Sequence, residues 1–128
     1  MIPSQRPAFK ELRGQLQKAK GFVAASSWAP AIEIKLMDDL HRLGLYTARE
    51  QADAFMTALS EIDPAHYVGR RPPEKAYEKR VYGREMFAFC WSSRRFLRTM
   101  YFKFCVTKDA LFILSFHESK ARGPRWNA

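Results

Sequence analysis

Apolar residues recur at helical spacing through the first half of the chain, and aromatic and β-branched residues crowd the second half. Phe9, Leu12 and Leu16 lie three and four residues apart, which puts them on one helix face. Pro7 suits the opening of that helix, because its missing N–H is not needed in a first turn. Gly21 is expected to end it, and Phe22-Val23-Ala24-Ala25-Ser26 reads as a short strand or a connection. After Pro30, the residues Ile32, Leu36, Leu40 and Leu43 predict a second helix, with Gly44 as its left-handed stop. Thr47-Ala48-Arg49-Glu50 has capping-box form, in which the hydroxyl and the carboxylate each meet an unpaired N–H. Phe55, Leu59 and Ile62 then form the buried stripe of a third helix, limited by Pro64.

Residues 68–84 change character. Gly69, Pro72, Pro73 and Gly83 accompany six Lys/Arg side chains, which is loop chemistry with one short helical turn expected around Ala76. Three aromatic-rich segments follow, 85–91, 99–106 and 110–116, and these residue types favour strands. Thr107-Lys108-Asp109 is short enough to close the last two as an antiparallel hairpin. Helices followed by strands predict an α+β, two-layer fold: N-terminal helices on one face of a mainly antiparallel sheet with a C-terminal hairpin. In the middle strand, alternation places Met100, Phe102, Phe104 and Val106 under the helices and Tyr101, Lys103 and Cys105 on the open face. In the last strand, Leu111, Ile113, Ser115 and His117 are expected to share one side.

Length and composition narrow the class. The 128 residues fit one domain spanning 1–128, with a basic tail from about residue 119, and 47% hydrophobic residues suffice for a packed core. No apolar run approaches the roughly 18 residues of a membrane span. The first residues lack a signal-peptide stretch, and Cys90 and Cys105 make neither a disulfide framework nor a zinc motif. A soluble, cytoplasmic domain with no membrane partner is expected. The formal charge is +9, and its position is informative. Residues 1–65 carry as many acids as bases, so the whole excess lies after residue 65. Such a split points to a polyanion bound by the second half, against the blander reading of a solvated basic surface.

A basic, aromatic sheet face flanked by arginine loops suits RNA, because bases stack on aromatics and phosphates meet cations. No metal-ligand spacing, glycine-rich phosphate loop or serine nucleophile turn is present, so neither a metal nor a cofactor is expected. RNA cleavage by attack of the 2′-hydroxyl needs a base, an acid for the leaving 5′-oxygen, and cations for the charge on phosphorus. Histidine suits proton transfer because its pKa lies near about 6.5; lysine or tyrosine serves where cations lower its pKa. Arginine is a permanent donor for the phosphate charge. The candidate catalytic residues are therefore Tyr101, His117, Lys103 and Arg98, with Arg94 and Arg95 as phosphate contacts. Beside each stands a bland alternative: a surface histidine at a strand end, an amphipathic tyrosine, a solvated arginine turn.

An ordered set of segments resembles the motility quorum-sensing regulator (MqsR) family of toxins. The segments are Leu43-Gly44-Leu45, Leu59-Ser60-Glu61-Ile62-Asp63, His66-Tyr67-Val68-Gly69, Met100-Tyr101-Phe102-Lys103-Phe104 and Phe112-Ile113-Leu114-Ser115-Phe116-His117. The resemblance spans roughly residues 5–120, with the elements in the family's order. The resemblance implies a RelE-like fold and a metal-independent endoribonuclease that cuts mRNA, free or on the ribosome, and is neutralised by a cognate antitoxin. It maps the family's strand tyrosine onto Tyr101 and the basic residue of its closing strand onto His117, and it brings His66 near the position of a family lysine. Arg70, Arg71, Lys75 and Lys120 join the expected RNA contacts. Where the family has a W-Q pair, this chain reads Phe87-Ala88. Two other readings stay open: a non-catalytic RNA-binding protein, and a protein-interaction module that docks its aromatic sheet face.

Overall fold

In the computed structural model, which describes residues 6–119, the first helix, α1, spans Phe9–Ala24. It buries Leu12, Leu16, Ala19 and Val23 along one face. Gly21 does not end this helix. Val23 is 3% exposed, and its packing carries the helix past an exposed glycine that has no side chain to lose. Of the segment Phe22–Ser26, read as a short strand or a connection, Phe22–Ala24 belong to this helix, and the first strand, β1 (Trp28–Pro30), follows it. Helix α2 (Glu33–Arg42) buries Leu36 and Leu40, and Gly44 follows it at φ +79°, the left-handed conformation that favours glycine. Helix α3 (Ala48–Glu61) opens with the expected capping box between Thr47 and Glu50 and buries Phe55 and Leu59. A short 3₁₀ turn, Pro64–His66, leads into the long loop.

Three strands close the chain: β2 (Phe87–Ser93), β3 (Arg98–Val106) and β4 (Leu111–Glu118). The sheet order is β1-β4-β3-β2. The β2–β3 and β3–β4 pairs are antiparallel as expected, while β1 runs parallel to β4 and makes the sheet mixed. Helices α1 and α3 cover one face. Between them and the sheet lies an aromatic core in which Phe55, Phe102 and Phe116 meet at centroid distances of 5.0–5.8 Å. Such ring contacts add about 0.5–1.5 kcal/mol each beyond the area they bury.

Helix α2 stands at the sheet's edge. Beyond the three residues paired with β1, the outer side of β4 has no strand neighbour among the described residues, and α2 supplies polar partners instead. Lys35 Nζ donates to the Leu114 carbonyl at 3.2 Å, and Asp39 Oδ2 accepts from the Phe116 N–H at 3.3 Å.

Two sequence expectations about faces change. The register between β3 and β4 shifts at Lys103/Phe104, leaving Leu114 as an extra residue in β4. Leu111 and Ile113 therefore face the helices, whereas Ser115 and His117 fall on the opposite face, beside Lys103 and Tyr101. That opposite face is also only partly open. Ala76, Val81 and Met86 of the long loop pack on it against Cys105 and Leu114, forming a second, smaller core. The expected helical turn of this loop lies at Lys79–Val81 rather than around Ala76.

Candidate functional site

Residues on neighbouring strands at matched register stand side by side on a sheet face. One such row reads Cys90, Tyr101, His117, and the next reads Ala88, Lys103, Ser115. The bulge at Leu114 brings His117 into the first row. Its imidazole stacks on the Tyr101 ring with centroids 5.4 Å apart and planes 27° apart. His117 Nδ1 lies 2.8 Å from the Glu118 carbonyl oxygen. A carbonyl only accepts, so this contact holds the proton on Nδ1 and leaves Nε2 as the basic nitrogen of the neutral ring. Lys103 is half-buried, two residues from Tyr101 on the same face, and forms no ion pair with any described residue.

His117 also borders a cleft of about 640 Å³ at the edge of β4, lined by Lys35, Asp38, Asp39, Arg42, Arg98 and Glu118 among others. Strand alternation sets Arg98 on the helix side, and its side chain also lines the cleft. There its Nη1 lies 3.5 Å from Glu118, and its Nε donates to the Phe96 carbonyl at 3.2 Å. Lys35 pairs with Asp39 at 3.4 Å and donates to Ser115 Oγ at 2.9 Å, while Arg42 pairs with Asp38 at 2.9 Å. The cleft cations are thus matched by carboxylates, which distinguishes them from Lys103.

The remaining expected residues are dispersed. Arg94 and Arg95 occupy the exposed β2–β3 turn at the same end of the sheet as Tyr101; Arg94 Nε lies 3.6 Å from Glu61, and Arg95 sits over the Phe96 ring. Arg71 donates to the Pro7 carbonyl at 2.8 Å, and Arg70 and Lys75 belong to the same loop, beside the start of β2. His66 is not brought to the row. Its neighbour Tyr67 bridges to Phe89 on the outer side of β2, so His66 lies three strand spacings, roughly 14 Å, from His117. Its Nδ1 accepts the Asp63 N–H at 3.0 Å and closes the 3₁₀ turn. Lys120 lies outside the described residues.

Two groups near the sheet have shifted proton affinities. Burial pushes the Tyr67 phenol up to about 12, and burial likewise pushes the Cys105 thiol up to about 12. Cys105 is therefore a neutral thiol at neutral pH, not a nucleophile. Among the described residues, no three His, Cys, Asp or Glu side chains gather as a metal site.

The sequence reading missed Lys35 and Asp39, which border His117 from α2. Their signal is faint: each precedes a buried leucine, Leu36 or Leu40, and so sits at the margin of the buried stripe. No protein-family model, curated protein or solved structure matches the chain.

Proposed function

We propose that the chain is an endoribonuclease toxin of the MqsR, RelE-like kind, which cuts mRNA without a metal and is neutralised by a cognate antitoxin. The observation that supports this most is the stacked Tyr101–His117 pair beside Lys103, a cation without an ion pair among the described residues. In this reading His117 Nε2 takes the proton of a ribose 2′-hydroxyl, and the oxygen attacks the adjacent phosphorus. The bond to the 5′-oxygen breaks, and the Tyr101 hydroxyl gives that oxygen a proton. The products are a 2′,3′-cyclic phosphate and a 5′-hydroxyl end. Lys103 and Arg98 balance the charge that builds on the phosphoryl oxygens. The Glu118 carbonyl orients the imidazole, as a second partner does for many catalytic histidines.

The test is cleavage of mRNA in EDTA, with and without ribosomes. Wild type is expected to give discrete products. His117→Asn is expected to cut about 10²–10⁴-fold more slowly, the usual worth of a positioned base, and Tyr101→Phe to fall in the same direction. RNA left intact by wild type in both conditions would remove the catalytic reading. Binding without product would make the chain an RNA-binding protein instead. Growth arrest on expression, relieved by the neighbouring gene, is the expected outcome for the antitoxin part of the proposal.

A further inference from the structure

The long loop carries a feature that the catalytic row does not use. Between Lys75 and Arg84 the sequence is Lys75-Ala76-Tyr77-Glu78-Lys79-Arg80-Val81-Tyr82-Gly83-Arg84. Its two tyrosines are 79% and 77% exposed, more than any other aromatic ring among the described residues. An exposed ring costs solvation unless something covers it, and here cations flank both rings.

The loop is held in shape. Lys75 bridges to Glu85, Met86 N–H donates to the Glu74 carbonyl at 2.8 Å, and Gly83 N–H donates to the Ala76 carbonyl at 2.8 Å. Tyr77 and Tyr82 lie in the segment that this neck closes. Ala76, Val81 and Met86 anchor the loop onto the sheet against Cys105 and Leu114. One carboxylate oxygen of Glu78, the only acid between Lys75 and Arg84, is buried. Lys75, Lys79, Arg80 and Arg84 are exposed and form no ion pairs with the described residues. Arg80 makes one hydrogen bond, to the Pro30 carbonyl at 3.1 Å.

Position gives the partner. The loop packs on the face of β3 that bears Tyr101 and Lys103, over Cys105. Cys105 lies four residues along the strand from Tyr101, roughly 13 Å away, a distance that two or three nucleotides of an extended strand can span. We infer that the Lys75–Arg84 loop is a second RNA-binding surface, stacking unpaired bases of single-stranded RNA on Tyr77 and Tyr82 and holding its phosphates with Lys75, Lys79, Arg80 and Arg84. It grips the same RNA strand that enters the Tyr101–His117 row, and in that respect rests on the proposed function. Stacking on exposed tyrosine rings tolerates any base, so the surface adds affinity rather than sequence choice.

The test uses the full chain and a fluorescein-labelled single-stranded RNA of about twelve nucleotides, with binding followed by anisotropy and cleavage followed on a gel. Tyr77→Ala and Tyr82→Ala are each expected to weaken binding about tenfold, with an unchanged melting temperature because both rings are exposed. Tyr77→Phe is expected to keep wild-type affinity, since the ring and not the hydroxyl carries the stack. Alanine variants that bind as tightly as wild type overturn the inference, even where wild type cuts RNA. Tyrosine-dependent binding without cleavage upholds it and overturns the nuclease reading alone. Wild type that binds no RNA overturns it too, and would leave the tyrosines as contacts for a protein.

Discussion

At the scale of single residues, burial decides which side chains can do chemistry. Tyr101 and His117 keep one side toward solvent, whereas Tyr67 and Cys105 are sealed. Tyr67 donates its hydroxyl to the Arg70 carbonyl and lies under the Arg71 guanidinium at 5.1 Å. Gly69 makes room for that ring, because a Cβ there would meet the phenol oxygen at 2.5 Å. Burial lifts Tyr67 from its ordinary 10.0 to about 12 and Cys105 from 9.0 to about 12. Both shifts have one sign. In alkali the folded protein keeps protons that the unfolded chain releases, so stability falls as pH rises. The contribution is full below pH 9 and is lost between the ordinary values, 9.0 and 10.0, and the folded value of about 12. Urea midpoints measured from pH 8 to 11.5 are expected to decline across this window. Tyr67→Phe should remove the part of the slope that begins near 10, and Cys105→Ala the part that begins near 9. Midpoints that stay flat over this range would contradict the burial account of both groups.

At the scale of elements, α2 closes an edge that the sheet leaves unpaired. Asp39 accepts the Phe116 N–H and meets Lys35, which in turn bonds the Leu114 carbonyl and Ser115. Removing this acceptor strands a backbone donor one residue from His117. Asp39→Ala is expected to cost about 1–3 kcal/mol in chemical denaturation, while Asp39→Asn, which keeps an acceptor, should cost less. Equal losses in the two variants would mean that the backbone contact contributes nothing. Signals that are local in the chain were readable in the sequence: the Thr47–Glu50 capping box, Gly44 after α2, and the leucine stripes of the helices. Strand β1 was not, because Trp28-Ala29-Pro30 is three residues with no period, and only its pairing with β4 makes it a strand. Nor was the bulge at Leu114 readable. Residues 111–114 are apolar on both faces, so the alternation carries no phase there, and the placement of His117 depends on a register shift that only the partner strand reveals. For the candidate site, Tyr101 and Lys103 were named from alternation, and His117 from its residue type at a strand end and from resemblance; the structure sets them side by side. Lys35 and Asp39 were missed because a charged pair four residues apart on a helix reads as solvated surface.

At the scale of the whole molecule, the neutral first half and the basic second half divide the work. Residues up to 65 build the helices that back the sheet and close its edge, while the sheet's far face and the loop laid across it carry the cations. This division makes the charge testable as a property of binding rather than of composition. Lys103 and the four cations of the Lys75–Arg84 loop form no ion pairs with the described residues, so a single strand crossing them should lose counterions from about five phosphates. For single strands the logarithm of affinity then falls with the logarithm of salt at a slope of roughly −3.5, close to a hundredfold between about 50 and 200 mM. The cleft cations Lys35 and Arg42 face Asp39 and Asp38, so they should add little to that slope. Replacing Lys79 and Arg84 together by glutamine is expected to make it shallower by about 1.4, whereas Arg42→Gln should leave it unchanged. A slope near zero would mean that the basic half is a solvated surface. A steep slope that Arg42→Gln reduces as much as the loop variant does would move the RNA path from the open face to the cleft.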